Sequence, residues 1–156
     1  MDDTITERMR QAGITLPKVA VPVANYVPVV ISGSRAYVSG QITMLNGELK
    51  YVGKLGHDID LEAGKLAARL CGLNILAQLE AHLGNLNRIT KCIKLNVFVN
   101  STFDFTDQPK IANGASDLMV EVLGDSGKHA RSAVGVGQLP LGVAVEVDAI
   151  FEISPS

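Results

Sequence analysis

The chain has 156 residues, of which 47% are hydrophobic and 19% charged, enough for one ordinary domain with its own core. That balance excludes a disordered chain, and with no tryptophan and 4% aromatic residues the core must be aliphatic. The formal net charge is −2 without any run of lysine or arginine, which weighs against nucleic acid as a partner because phosphates call for a basic stripe. No stretch approaches the roughly 20 apolar residues of a membrane span. The opening MDDTITERMRQAG has no apolar centre of a secretory leader. Cys71 and Cys92 form no metal or redox motif and read as small buried hydrophobes. The expected setting is the cytoplasm.

In chain order, a short helix is expected over Thr4–Gln11, stopped by Gly13. Pro17, Pro22 and Pro28 then mark an extended segment suited to a sheet edge. VVISGSRAYVSGQI reads as two short strands around SGS, and Asn46-Gly47 is a hairpin signal. The clearest helix is Leu61–Leu83, with Leu66, Leu70, Leu73, Ala77 and Leu83 at helical spacing and Leu76 and Leu79 widening the stripe. Asp58 or Asp60 suits its N-cap and Gly84 its end. ITKCIKLNVFVN alternates like a strand, with Ile89, Lys91, Ile93, Leu95, Val97 and Val99 on one side. A second helix fits Asp107–Leu123, with Thr106 as cap and Pro109 in its first turn. Two strands, Ala130–Val136 and Val143–Ile153, close the chain. This order predicts an α+β domain: a single mixed sheet with two amphipathic helices on one face. Nothing in the chain is left to cover the other face, so its burial in a homo-oligomer is expected.

The last two strands pose a question, because each carries a charge in an otherwise apolar run. Alternation puts Arg131, Ala133, Gly135 and Gly137 on one face, with Val134 and Val136 as the natural core side. It puts Glu146 beside Ala144, Asp148 and Ile150. If the two strands are antiparallel neighbours, Arg131 and Glu146 either pair with each other or border one pocket. In a pocket, an arginine fork suits a carboxylate or phosphate, and a partly buried carboxyl handles a proton or orients water. Both readings stay open at this point. His57, His82 and His129 lack ligand spacing, His129 being placed at a loop edge, and no metal site is expected. Ser39 has no nucleophile-elbow motif around it.

Four stretches together resemble one family. NYVPVVISGSRAYVSGQI, LNVFVNSTFDF, ARSAVGVGQLP and VAVEVDAIFE are similar to the opening, central, Ala-Arg-Ser and terminal strands of the YjgF/RidA (endoribonuclease L-PSP) family, with coverage from about Tyr26 to the C-terminus. The resemblance implies one such domain over residues 1–156 with a short N-terminal helical extension, in the chorismate-mutase-like fold. It also implies a homotrimer with clefts between subunits and no cofactor. The implied activity is hydrolysis of enamine/imine intermediates of the 2-aminoacrylate type to a 2-oxo acid and ammonia. Arg131 would clamp the substrate carboxylate and Glu146 would orient water or shuttle its proton. Tyr26 would wall the cleft, with Gly40 and Asn113 beside it and Ala133 where the best-known members carry cysteine. Other readings are a trimer that binds a small carboxylate metabolite without turnover, and an endoribonuclease, which the missing basic stripe disfavours.

Overall fold

The computed structural model of the chain describes residues 4–19 and 25–155. Helix α1 (Ile5–Ala12) is capped by the Thr4 side chain, which accepts from the Glu7 N–H, and ends at Gly13 in the left-handed region. Ile5 and Met9 are its buried face, laid against α3. Strand β1 (Val29–Ser32) turns through Gly33 into the antiparallel β2 (Arg35–Gln41). The small hairpin of β3 (Met44–Leu45) and β4 (Glu48–Leu49) turns at Asn46 and Gly47, with φ of 51° and 88°. Two successive positive φ values are what an Asn-Gly turn supplies at little steric cost. Pro17 and Pro28 both lie ahead of β1, outside any strand, while Pro22 lies outside the described residues.

Helix α2 runs over Leu61–Leu83, capped by Asp60 and closed by Gly84. Its leucines do not form a single stripe. Leu66 is 52% exposed, whereas Gly64, Ala67, Ala68, Cys71, Gly72, Ile75 and Leu79 are buried, because the helix is held between the sheet and α3. Asn74, also buried, donates to the carbonyls of Ile42 and Met44 at 2.9 and 2.8 Å and so ties the β3–β4 hairpin to the helix. Helix α3 (Gln108–Leu123) starts one residue later than expected, with Asp107 rather than Thr106 at its N-cap and Pro109 in its first turn. The two helices approach closely through glycine: a Cβ on Gly114 would lie 2.0 Å from the Lys65 carbonyl oxygen. Only a residue without a side chain lets the backbones meet there.

Strand β5 (Ile89–Asn100) leads through α3 to β6 (Ala130–Val136), and β7 (Val145–Ile153) ends the chain. The five-stranded sheet has the order β1-β2-β7-β5-β6, with β5 and β6 parallel and the remaining pairs antiparallel. It is therefore the mixed sheet expected, with the helices on one face. Two register shifts in β5, one of them between Cys92 and Lys94, change which side chains point inward. Cys92 is thereby buried, and the simple alternation that set it opposite Leu95 fails. Burial pushes the Cys92 thiol up to about 12 and that of Cys71 higher still, so both are inert packing groups, as their sequence context suggests.

Candidate functional site

Strands β6 and β7 are not the antiparallel neighbours that a direct Arg131–Glu146 pair or a shared pocket in one chain would need. Strand β5 lies between them. Across the ladders, Arg131 is level with Leu95 and Ala149, whereas Glu146 is level with Phe98 and Val134. Residues paired in register share a face. Leu95, Val97 and Val99 are fully buried beneath the helices, so Arg131, Ala133 and Gly135 sit on the helix-covered face. Val134 is 46% exposed on the open face, which reverses the expected core side of β6. Glu146, Asp148 and Ile150 share that open face. Two strand spacings and three residues along the strand place the Cα atoms of Arg131 and Glu146 roughly 14 Å apart, with side chains on opposite sides. They are not an ion pair, and one chain cannot bring both to one small ligand.

On the helix side, Arg131 uses one nitrogen to reach α3. Its Nη1 donates to Asn113 Oδ1 at 2.8 Å and to Ser116 Oγ at 3.1 Å. Among the described residues no carboxylate lies within ion-pairing distance of the guanidinium. No described residue takes the donors on Nε and Nη2, and they form the edge that meets a carboxylate in a fork. Ala133 packs against the core below, and further along the same face a concavity of about 660 Å³ opens at Gly135, lined also by Lys54, Thr102, Phe103 and Gln108.

On the open face, Glu146 lies against Gly40. A Cβ at Gly40 would stand 2.2 Å from Glu146 Oε2, so the missing side chain is what admits the carboxyl. Gly40 belongs to a register shift between Val38 and Gln41, where β2 bends away from β7. Burial, and secondarily the charge of Asp148, raise the Glu146 carboxyl above its ordinary range. No hydrogen bond from a described residue holds it. In the same bulge the Ser39 hydroxyl is buried without a hydrogen-bond partner among the described residues, a group for which a ligand or water is the usual complement. Tyr26 is exposed just ahead of β1, next to Val27, which with Val30, Tyr37, Asp148 and Ile150 lines an open-face depression of about 320 Å³. The residues singled out in the sequence thus fall into two groups: Arg131, Asn113 and Ala133 on one face, Gly40 and Glu146 on the other, with Tyr26 at the β1 edge. Sequence reasoning passed over Ser116, weighed Ser39 only as a nucleophile, and placed His129 at a loop edge although its ring is bonded to Ser116 at 2.9 Å. No group of histidine, cysteine or carboxylate side chains among the described residues is arranged to hold a metal ion, and no described helix is long and apolar enough to cross a membrane.

A five-stranded mixed sheet with its helices on one face is the chorismate-mutase-like class of α+β fold. The chain belongs to the YjgF/chorismate mutase-like endoribonuclease family, whose model matches residues 6–152. It is 46% identical over 151 residues to Protein TCP17 of Trypanosoma cruzi, covering 96% of this chain and 94% of that one. The crystal structure of protein Atu1372, of unknown function, from Agrobacterium tumefaciens superposes with a TM-score of 0.89 at 47% identity, covering 98% of this chain and 95% of that one. A 2-iminobutanoate/2-iminopropanoate deaminase of Dermatophagoides farinae is 29% identical over 141 residues, covering 90% of this chain and 94% of that one.

Proposed function

We propose that this chain hydrolyses small 2-imino acids and their enamine tautomers to 2-oxo acids and ammonia, at a site completed between two copies of the chain. The observation that carries the reading is the Arg131 guanidinium, braced through Nη1 and left with an unspent fork. A carboxylate on that fork is held bidentately, and the imine carbon beside it is thereby positioned. Because Glu146 lies on the opposite face of its own sheet, the copy that serves Arg131 must offer its Glu146 from outside. A homotrimer, in which the open sheet faces are buried, brings the two groups together three times. Asn113 and Ala133 then flank the carboxylate, and Gly40 and Tyr26 belong to the wall that carries Glu146.

In the reaction, water adds to the C=N carbon. Glu146, as carboxylate, takes the proton from that water while the nitrogen is protonated. The carbinolamine then loses ammonia as its hydroxyl proton leaves, and the C=O bond of the 2-oxo acid forms. A carboxyl raised by burial returns protons nearer neutrality than an ordinary glutamate would. The relationship to an imine deaminase supports this chemistry. The alternative of a binder without turnover uses the same arginine but leaves Glu146 idle. The test is to generate 2-iminobutanoate in situ and follow oxo-acid release: wild type accelerates it and Arg131→Ala does not. An unaccelerated rate with wild type, or an unchanged rate in Arg131→Ala, contradicts the assignment. The net charge of −2 and the absence of any basic run weigh against RNA cleavage.

A further inference from the structure

We infer that Ser116 and His129 are positioning residues: a hydrogen-bond chain through them fixes the Arg131 guanidinium in the orientation that receives the substrate carboxylate. This inference rests on Arg131 being the carboxylate clamp. The chain has one consistent direction. His129 Nδ1 lies 2.6 Å from the Gly127 carbonyl oxygen, which only accepts, so Nδ1 carries the ring proton. In the neutral ring Nε2 is then an acceptor. Ser116 Oγ, 2.9 Å away, donates its single proton to it. With that proton committed, the lone pairs of Ser116 Oγ point back toward Arg131, whose Nη1 donates to it at 3.1 Å. Asn113 Oδ1 takes the other Nη1 proton at 2.8 Å. Both Nη1 donors are therefore spent on neutral groups, and the Nε–Nη2 edge is turned outward.

The anchor is rigid at both ends. Gly127 is buried and lies tightly against α3, where a Cβ would stand 2.2 Å from the Met119 carbonyl oxygen. Ser116 rides on the same helix, which Gly114 locks against α2. An arginine side chain gives up rotamer freedom when it is ordered. The chain orders it before the ligand arrives, so binding need not. Its effect therefore falls on substrate capture rather than on the chemical step, which belongs to Glu146.

The experiment measures affinity for 2-oxobutanoate, a stable carboxylate probe, by calorimetric titration, alongside KM and kcat with 2-iminobutanoate. Ser116→Ala and His129→Leu are expected to weaken 2-oxobutanoate binding and raise KM about tenfold, the worth of one charge-assisted hydrogen bond, with kcat within about twofold of wild type. His129→Gln keeps an acceptor near Nε2 and is expected to recover most of the loss. The double variant should bind no more weakly than Ser116→Ala alone, because both changes cut one chain. Single variants at wild-type affinity, additive losses, or a loss equal in His129→Gln and His129→Leu overturn the inference. Arg131→Ala separates the two readings. If it abolishes binding while Ser116→Ala and His129→Leu bind like wild type, only the positioning role fails. If Arg131→Ala binds 2-oxobutanoate as well as wild type, or wild type does not bind it at all, the carboxylate clamp itself fails and the positioning role with it.

Discussion

Arg131 and Glu146 are both charged groups set into apolar strands, yet their surroundings differ in kind. The arginine is on the helix-covered face and is held by two hydrogen bonds from one nitrogen. The glutamate is on the open face, pressed against a bare glycine, with no described residue bonded to its carboxyl. One group is oriented and always charged; the other is desolvated, has no hydrogen bond from a described residue, and titrates. A fixed cation suits recognition, because its geometry is settled before the ligand arrives. A carboxyl raised by burial suits proton transfer, which needs a group that changes state near the working pH. The sheet keeps the two apart, so neither neutralises the other within one chain.

Breaking the oriented side should cost most. Arg131→Ala removes both bonds of the fork, and a fall in kcat/KM on the order of 10²-fold or more is expected, measured by oxo-acid release. On the titrating side, Glu146→Gln should lower kcat by about 10²-fold with little change in KM. Gly40→Ala should lower it less, because the new Cβ displaces the carboxyl rather than deleting it.

Glu146→Gln also sharpens the contrast through stability. Its folded-state carboxyl is raised, so the folded chain binds the proton more tightly than the unfolded one. That contribution is fully present at acid pH and is lost as pH rises from the ordinary carboxylate value of 4.5 through the raised one. The Gln variant should therefore unfold at a higher temperature than wild type at pH 7.5 and show no such gain at pH 4. An equal shift at both pH values would contradict the desolvated carboxyl.

The frame that holds Arg131 can be tested without touching it. Gly114→Ala drives a methyl into the Lys65 carbonyl and should destabilise the fold by about 2–3 kcal/mol in denaturant unfolding, as overpacking does. Leu66→Ser, on the exposed side of α2, should change stability by less than about 0.5 kcal/mol, although the sequence pattern groups it with the buried leucines.

Local chemistry made the elements legible. α2 occupies Leu61–Leu83 and β5 occupies Ile89–Asn100, the ranges that periodicity and flanking residues mark. Pairing was less so. Consecutive strands joined through GQLPLG look like antiparallel neighbours, but the crossover through α3 makes β6 parallel to β5, and β7 inserts between β2 and β5. Alternation says which residues of one strand share a face, and it does not say which face that is. Hence the pattern alone points Val134 inward and allows Arg131 and Glu146 to sit side by side, and the strand order does neither. The register shifts at Cys92 and at Ser39-Gly40 have no local signature beyond a glycine. His129 reads as a loop-edge residue because its partner, Ser116, lies on another element and is brought to it only by the packing of α3 over β6.

In the proposed assembly Arg131 of one copy and Glu146 of another serve one site. Subunit complementation tests this pairing. Arg131→Ala and Glu146→Gln chains, each nearly inactive alone, are co-expressed, and oxo-acid release from 2-iminobutanoate is measured on the mixed assembly. Activity well above that of either parent is predicted, because mixed assemblies contain interfaces where an intact arginine meets an intact glutamate. Activity no higher than the better parent would contradict a shared site.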